Sequence, residues 1–462
     1  MISREPNGKE KLENFIFKRM HESRIIGLSI ATIKEDNIDY KRGFGFRDFE
    51  RGNGATTETI YCIGSVTKPF TALAIMQLHE RGLLRLDDPI EKYVNFKAKP
   101  MGEPILIWHL LSHSCGVPSL GYAEATLGAV TGTHNVWHPI RSPQDLLIFM
   151  NGAENWALWR PGERHAYSNE GYILLGSIIE ETSGVNYATY VEKNILCPLK
   201  MARSTFSEDK VIQDSDVATP YVTSQDGSKV PTKYPYGEMI SDGGLMSNAE
   251  DMSRFLKMLL SGGVLEGIRV ARSESIIDMM KPKVRTVEIP IGTAGKNYYG
   301  YGLRIKSSFL DHTLIHHSGS VYGSSAYMGF IPEKEMGVIV LSNGGYFLQD
   351  IGEYALALML DRDPMEITSF RNAEILDGLT GTYETFKSAL NYKVIRNGGV
   401  LQLTSSYGRR SYITPLIPVE LQEEVKEFAV YGLETITPVN FVRRESDTFM
   451  VYSRNMAKKI ST

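Results

Sequence analysis

A serine and a lysine three positions apart, in the run Ser65-Val66-Thr67-Lys68, form the first group whose chemistry can be inferred from spacing. Residues three apart share one face of a helix, so the lysine amine would lie beside the serine hydroxyl. A serine becomes a good nucleophile when a nearby base takes its proton, and a neutral lysine amine can be that base. The apolar sequence after Lys68 favours the neutral amine by burying it. Ser65 is therefore a candidate nucleophile and Lys68 its candidate base.

The same pattern also has a plain structural explanation. A serine at the start of a helix commonly caps it, and a second S-x-x-K match, Ser207 to Lys210, lies in a charged segment that we expect on the surface. Ser65 differs because it opens an apolar segment up to Arg81, predicted to be a buried helix with Gly82 as its C-terminal cap. A helix N-terminus there would stabilise developing negative charge. On this motif alone, the capping role is favoured.

Tyr167 and Asn169, separated by Ser168, form a second candidate group in a loop ahead of a predicted helix. Tyr167 could carry a proton between Ser65 and the leaving group. Asn169 could hold the substrate or the lysine amine by hydrogen bonds. The alternative is an ordinary turn with an aromatic ring packed beneath it.

A third group, His317, Gly319 and Ser320, precedes a predicted strand. Gly319 would let the backbone approach a ligand closely. The backbone N–H groups of Ser320 and Ser65 could together form an oxyanion hole, and His317 could present a donor or a positive charge. The neighbouring His316 would face the other side of the strand. The alternative for either histidine is a structural role.

Composition and spacing argue against several other kinds of site. The formal net charge is −4 and no run of lysines and arginines occurs, so nucleic acid is not an expected partner. Cys62, Cys115 and Cys197 are far apart and predict neither a disulfide framework nor a zinc site. His109 and His113 have metal-ligand spacing, but the H-E-x-x-H pattern that supplies a catalytic base is absent. We predict no metal and no cofactor.

The first residues and the hydropathy of the chain bear on its location. Residues 1–22 alternate charged and apolar side chains, without the continuous apolar core of a signal peptide. No uncharged apolar stretch reaches the roughly 18 residues that a membrane span needs. We expect a cytoplasmic protein with no membrane partner.

The pattern of elements predicts two domains. Residues 1–362 place a helix-rich middle between early and late strands, which favours one α/β domain whose sheet is closed by both ends of this stretch. A polar segment with Pro364 makes residues 363–375 the expected linker. Residues 376–462 show short alternating strands, as in a small all-β barrel. The strands predicted for the first domain are residues 25–37, 39–49, 300–305, 325–331 and 337–342.

The three groups, in this order, resemble the motifs of the serine β-lactamase and penicillin-binding superfamily. The match covers about residues 15–345 and is similar to the class C branch, which includes esterases, D-aminopeptidases and peptidases. The segments that carry it are SVTKPFT from Ser65, LRLDDPIEKY from Leu84, HLLSHSCG from His109, SNEGYILLG from Ser168 and GGLMSNAEDMSRFL from Gly243.

The resemblance implies an antiparallel sheet flanked by helices and a set of roles. By it, Ser65 is the residue that becomes acylated. Lys68 and Tyr167 share the proton transfers, Asn169 binds substrate, and the Ser320 N–H joins the oxyanion hole.

One departure concerns the third motif. Class C β-lactamases carry K-T-G where this chain has His317-Ser318-Gly319, which argues against efficient penicillin hydrolysis. A histidine there is usual in the esterase and peptidase members. The C-terminal segment resembles the lipocalin-like barrel of some of these, notably an archaeal self-compartmentalising serine peptidase, with LTGTY from Leu379 as its opening.

The leading interpretation is a serine peptidase that acts on small peptides through an acyl-enzyme, with D-residues among its candidate substrates. An esterase of small acyl esters shares every catalytic residue and differs in pocket shape. A third hypothesis is that the protein is acylated without turnover, or that it holds a ligand in its barrel. We also expect a homo-oligomer.

Overall fold

The chain folds into two units, Met1–Arg362 and Asp363–Thr462. The computed structural model describes residues 7–125, 140–224, 226–234, 237, 239–288, 296–407, 410–421 and 425–461. Among these residues, no helix is both long and apolar enough to cross a membrane.

The strands of the first unit build one large sheet and three small ones. Nine strands form the large sheet, in the order β10-β11-β12-β13-β14-β15-β1-β2-β3. The strands are β1 (Gly27–Lys34), β2 (Asn37–Asp48), β3 (Asn53–Gly54), β4 (Tyr61–Cys62), β5 (Tyr221–Thr223), β6 (Lys229–Pro231), β7 (Met246–Ser247), β8 (Val264–Leu265), β9 (Ile268–Arg269), β10 (Val284–Arg285), β11 (Asn297–Tyr299), β12 (Arg304–Phe309), β13 (His312–Val321), β14 (Ser324–Ile331) and β15 (Met336–Ser342).

The helices of the first unit lie between and after the early strands. They are α1 (Gly8–Ser23), α2 (Lys68–Glu80), α3 (Ile107–Leu111), α4 (Pro143–Phe149), α5 (Asn169–Ser183), α6 (Tyr187–Val191), α7 (Glu208–Gln213), α8 (Ala249–Leu260), α9 (Ser273–Met279) and α10 (Gln349–Met359). Short 3-10 turns occur at Gly64–Thr67, Ile90–Lys92, Pro100–Gly102, Ala153–Trp156 and Pro332–Lys334, and a π-helical turn occurs at Glu192–Leu196.

Strand β1 joins the two ends of this unit. It pairs antiparallel with β15, from Leu28 opposite Ser342 to Lys34 opposite Met336, and with β2 on its other side. The predicted closure of the sheet by early and late strands is therefore confirmed. Strands β1 and β15 are buried apolar runs, as expected for strands that are covered on both faces, whereas β2 is more polar and more exposed.

Helices cover both faces of the sheet. Leu256 of α8 packs so closely over Gly337 of β15 that a Cβ there would lie 2.5 Å from its Cδ2. Gly352 of α10 leaves similar space for the ring of Tyr327 on β14. The first unit is thus an antiparallel sheet flanked by helices, as predicted.

Helix α2 runs through the interior of the first unit. Its residues from Lys68 to Leu78 are buried, and Phe70 stacks on Phe255 of α8 with ring centroids 3.8 Å apart. Gly82, at φ +70°, follows its end as the predicted cap. The α-helix begins later than predicted, however, because Ser65 lies in the preceding 3-10 turn.

The second unit contains a closed antiparallel barrel of eight strands. Tyr383, Phe428 and Phe441 pack edge to face in its core, with centroids about 5.5 Å apart. Its strands are β16 (Gly381–Thr385), β17 (Asn391–Asn397), β18 (Val400–Tyr407), β19 (Arg410–Leu421), β20 (Val425–Tyr431), β21 (Ile436–Arg444), β22 (Asp447–Tyr452) and β23 (Asn455–Ser461). A short 3-10 turn follows β16 at Phe386–Ser388.

The segment expected to be a linker is folded. Residues 363–375 contain a 3-10 turn, Pro364–Glu366, and the first part of helix α11, Thr368–Leu379. The helix forms because Leu376 and Leu379 join the core of the barrel, which outweighs the polar character of the preceding residues.

Candidate active site

The 3-10 turn before α2 brings the serine and lysine of the first motif together. In a 3-10 helix side chains three residues apart eclipse one another, and Lys68 Nζ lies 3.0 Å from Ser65 Oγ. Pro69 lies in the first turn of α2. Its lack of an N–H costs nothing there, because backbone N–H groups in the first turn of a helix have no partner within the helix. Ser65 and Lys68 are therefore placed for proton transfer.

Ser65 does not have the capping role that competed with the nucleophile role. Among the described residues, neither its turn nor α2 has a side-chain cap hydrogen bond. The second S-x-x-K match behaves in the opposite way, since Ser207 caps α7 by accepting from the backbone N–H of Lys210. The Lys210 amine lies 3.1 Å from Glu192. One sequence pattern thus yields a surface cap at one place and a serine–lysine pair at the other.

Lys68 is held by three oxygen atoms. Besides Ser65 Oγ, its amine donates to Asn169 Oδ1 at 2.7 Å and to the backbone carbonyl of Asp242 at 2.7 Å. The side chain is fully buried, so the amine has exchanged water for this cradle. The predicted contact between Asn169 and the lysine amine is present in the structure.

Asn169 and Tyr167 flank the residue that caps α5. Ser168 accepts from the backbone N–H of Gly171, so Asn169 begins the helix beside Lys68. Because the Asn169 oxygen is bonded to the lysine, its amide can offer N–H donors to a substrate. The ring of Tyr167 lies on the same side, with its centroid 5.0 Å from Lys68 Nζ. The first two motifs therefore meet at one place.

The third motif packs against the turn that carries Ser65. A Cβ on Gly319 would lie 1.9 Å from the carbonyl oxygen of Ile63 and 3.1 Å from Ser65 N. A Cβ on Gly64 would lie 2.8 Å from Ser320 N. Glycine is required at both positions because the two backbones touch. The backbone N–H groups of Ser65 and Ser320 therefore belong to adjoining segments, as an oxyanion hole requires.

His317 lies behind this junction and is almost fully buried. Its Nδ1 lies 2.7 Å from the Ser318 carbonyl and its Nε2 lies 2.8 Å from Tyr299 Oη. Burial, and then the positive charges of Arg304 and Lys68, hold the pKa of His317 well below its usual range. A neutral His317 with both ring nitrogens engaged has no N–H left for a substrate. This geometry differs from the donor or cation that we expected from the sequence.

Arg304 of β12 supplies a positive charge that the sequence analysis missed. Its guanidinium carbon lies 5.7 Å from the centroid of the Tyr167 ring, so Tyr167 has Lys68 and Arg304 both within 6 Å of its ring. The Arg304 side chain is 28% exposed and its ion pair with the exposed Glu288 is 3.6 Å long. Such a partly exposed pair is worth little, so a substrate carboxylate could replace Glu288.

Asp242 was also missed, since nothing in its spacing marks it. Its backbone carbonyl accepts from Lys68, and its carboxyl accepts from Tyr122 Oη at 2.7 Å. Burial raises the pKa of the Asp242 carboxyl above its usual value. Glu170 accepts from the backbone N–H of Leu120 at 2.9 Å and so fixes the segment that carries Tyr122.

The histidine pair with metal-ligand spacing has other roles. His109 Nδ1 accepts from the backbone N–H of Leu106 at 2.9 Å, and burial lowers the pKa of His109 to about 4. His113 Nδ1 accepts from the backbone N–H of Ser168 at 3.1 Å. Both rings thus stabilise the backbone around them.

Comparisons with known proteins agree with this geometry. Residues 12–360 match the Beta-lactamase family model, and residues 364–457 match the model of the Pab87 octamerisation domain. The octameric penicillin-binding protein homologue from Pyrococcus abyssi is 41% identical, with a TM-score of 0.91 over 97% of this chain and 99% of that one. The penicillin binding protein from Bacillus halodurans is 26% identical, with a TM-score of 0.58 over 75% of this chain and 97% of its own.

A curated relative extends beyond this chain. Protein flp of Staphylococcus aureus strain MW2 is 27% identical over 347 residues, which cover 73% of this chain and 63% of flp. The chain thus spans less than two thirds of the length of that relative. Since the family model covers most of the chain and its three motifs meet at one site, the chain belongs to the beta-lactamase family of serine hydrolases.

Proposed function

We propose that the protein is a serine peptidase that hydrolyses small peptides through an acyl-enzyme on Ser65. The observation that carries the proposal is the 3.0 Å contact between Ser65 Oγ and the amine of the fully buried Lys68. A buried lysine that can lose its proton activates a serine without a histidine. This pair is therefore the chemical centre of the proposal.

In the acylation step, Ser65 Oγ forms a bond to the carbonyl carbon of the substrate and its proton passes to Lys68. The negative oxygen of the tetrahedral intermediate accepts hydrogen bonds from the backbone N–H groups of Ser65 and Ser320. The bond between carbon and the leaving nitrogen then breaks, and the nitrogen takes the proton by way of Tyr167. The amine product leaves and the acyl group stays on Ser65.

In the deacylation step, a water molecule attacks the same carbonyl carbon. One proton of that water passes to the pair formed by Lys68 and Tyr167. The backbone N–H groups of Ser65 and Ser320 again stabilise the negative oxygen of the intermediate. The bond to Ser65 Oγ breaks, the serine regains its proton, and the acid product is released. Asn169 holds Lys68 in place through both steps and offers its amide N–H groups to the substrate.

Arg304 favours a peptide over a simple ester as the substrate. It places a partly exposed guanidinium beside Tyr167, where the leaving group would lie. A guanidinium binds a carboxylate with two parallel hydrogen bonds, and a short peptide ends in a carboxylate close to its last bond. A simple alkyl ester has no such group. We therefore propose hydrolysis close to the C-terminus of small peptides, including peptides with D-residues.

The test is a panel of matched substrates with the wild-type protein and Arg304→Gln. The panel contains di- and tripeptides of both chiralities, their C-terminal amides, and simple acyl esters. We expect kcat/KM to be at least tenfold higher for free carboxylates than for amides, a preference that Arg304→Gln removes, since a charged hydrogen bond is worth about 1.5–3 kcal/mol.

Fast turnover of esters with no peptide cleavage would instead favour the esterase. A burst of acylation without turnover would favour the third hypothesis, a protein that is acylated but does not hydrolyse.

A separate observation supports a role for the barrel in assembly. The outward side of β19 carries an apolar row in which Ile413, Ile417 and Val419 are 67%, 36% and 58% exposed. Exposed apolar side chains also occur on the two following strands, where Tyr431 of β20 pairs with Ile436 of β21 and the two are 63% and 61% exposed. Exposed apolar surface of this kind marks interaction sites.

We propose that this outer barrel face, formed by β19, β20 and β21, joins copies of the chain into a homo-octamer. The match of residues 364–457 to an octamerisation domain supports this, as does the octameric homologue from Pyrococcus abyssi. The molar mass from light scattering tests the number of subunits.

A further inference from the structure

A buried chain of three side chains connects the second and third motifs from behind. His113 follows α3, Tyr299 ends β11, and His317 lies on β13. His113 Nε2 lies 3.2 Å from Tyr299 Oη, and the same oxygen lies 2.8 Å from His317 Nε2. We call these three residues the His–Tyr–His chain.

Backbone groups at both ends fix the direction of every hydrogen bond in this chain. At one end the N–H of Ser168 must donate, so His113 Nδ1 accepts and its proton sits on Nε2. At the other end the carbonyl of Ser318 must accept, so His317 donates from Nδ1 and accepts at Nε2. Tyr299 Oη can then accept from His113 and donate to His317. Each ring nitrogen has one defined role.

This pattern of hydrogen bonds requires that His113 and His317 are both neutral. Burial is the largest cause that holds the pKa of His113 and of His317 well below the usual value, and Lys68 and Arg304 add to it. Burial also raises the pKa of the Tyr299 hydroxyl, which keeps its proton. These shifts favour the neutral rings and the protonated hydroxyl on which the direction of the hydrogen bonds depends.

The two ends of the chain carry the groups of the proposed site. At the first end, the His113 ring packs against Tyr167, with centroids 4.1 Å apart, and its backbone carbonyl accepts from the Ala166 N–H at 2.7 Å. At the second end, Ser318 is followed directly by Gly319 and Ser320.

We propose that the His–Tyr–His chain positions Tyr167 and Asn169 relative to the oxyanion donor of Ser320. The three side chains of the His–Tyr–His chain hold these groups in place and do not touch the substrate, so they are positioning residues. The inference rests on the proposed function, in which Ser65 is the nucleophile. Small errors of placement at a reacting centre cost one or two orders of magnitude in rate, which sets the effect to expect.

The test is Tyr299→Phe, which removes the hydroxyl and keeps the ring. The turnover number is expressed per Ser65 that reacts with a fluorophosphonate. A loss of folded protein therefore does not lower the measured value. We expect kcat to fall roughly tenfold or more, while KM stays within about threefold, because the chain positions the groups of the transition state. Tyr298→Phe is the matched control, with the same change on the neighbouring residue of β11, and should leave kcat unchanged.

His113→Asn is the second variant. His113 has φ +54°, and asparagine is one of the residues that tolerate this backbone region. Its shorter side chain can still accept from Ser168 but cannot reach Tyr299. Because both variants break the same chain, the double variant should be no slower than the slower single variant. If Tyr299→Phe does not fold, His113→Asn carries the test alone.

Wild-type kcat in a folded Tyr299→Phe or His113→Asn overturns the proposal, and so do independent effects that multiply in the double variant. Failure of the proposed function looks different. In that case Ser65→Ala keeps its turnover, whatever the other variants do. Loss of turnover in Ser65→Ala together with a normal Tyr299→Phe overturns the positioning role alone.

Discussion

Lys68 and Asn169 are joined by a 2.7 Å hydrogen bond from the lysine amine to the amide oxygen, although they lie 101 positions apart in the chain. This bond ties the start of α2 to the start of α5. It places the amine between Ser65 and the loop that carries Tyr167, so one buried amine contacts two of the three motifs. Substitution of Lys68 is accordingly the most direct way to test the site.

Lys68→Arg tests whether the amine acts as a base. A guanidinium keeps its proton near neutral pH, so the variant cannot accept the serine proton. We expect kcat/KM to fall by about a thousandfold, within the usual range for loss of a general base.

Lys210→Arg, in the second S-x-x-K match, is the matched control and should stay within twofold of wild type. Steady-state assays of both purified variants make the measurement. A Lys68→Arg variant with near wild-type activity would show that another residue takes the serine proton.

The site could be predicted from the sequence as far as its motifs reach. Ser65 lies in the turn before α2, Lys68 begins α2 and Asn169 begins α5, and helix starts leave signals in spacing and composition. Arg304 and Tyr299 left no such signal, because they reach the site through strand pairing at one side of the large sheet. Pairing between distant strands is set by the whole fold and not by neighbouring residues.

Prediction from the sequence is also limited in the barrel. The sequence of β19 contains Pro415 and Pro418, which argue against a strand. The structure accommodates Pro418 beside a bulge, where the register with β20 shifts before Glu420. The strand predicted at residues 300–305 is displaced for a related reason, because Gly302 forms a turn at φ +72° and β12 begins at Arg304.

Buried histidines predict how stability changes with pH. Burial lowers the pKa of His165 to about 4 and that of His316 to about 3, from 6.5. The unfolded chain therefore binds protons that the folded chain does not, once the pH falls below about 6.5. Stability should decrease from pH 7 towards pH 4, by about 1 kcal/mol or more for each fully buried histidine.

Buried carboxyls act in the opposite direction. Burial raises the pKa of Asp242 and Asp350, so the folded chain binds their protons more readily than the unfolded chain at pH values above 3.8. Thermal unfolding between pH 7.5 and 4.5 measures the balance, and we expect the histidines to dominate. His316→Leu should make the pH dependence shallower. A melting temperature that is constant or rises on acidification would contradict this assignment.

The outer barrel face predicts which substitutions break the assembly. Ile417→Lys places a charge in the middle of the apolar row on β19 and should yield smaller species, because a buried unpaired charge costs several kcal/mol. The matched control is Ile395→Lys, an equally exposed isoleucine on β17, at 40% against 36% for Ile417. Light scattering with both variants makes the measurement. An unchanged mass for Ile417→Lys, or equal dissociation of both variants, would argue against this face.

The central claim is that Ser65 is the residue acylated during turnover. Ser65→Ala removes one hydroxyl that caps no helix, so the variant should fold as the wild type does and unfold at nearly the same temperature. The measurement is mass spectrometry of peptides after reaction with a fluorophosphonate, alongside a turnover assay of the same samples. We predict that the wild type carries the added mass on the peptide that contains Ser65, and that Ser65→Ala has neither label nor turnover. Turnover in the folded variant, or a label on another serine, would contradict the account.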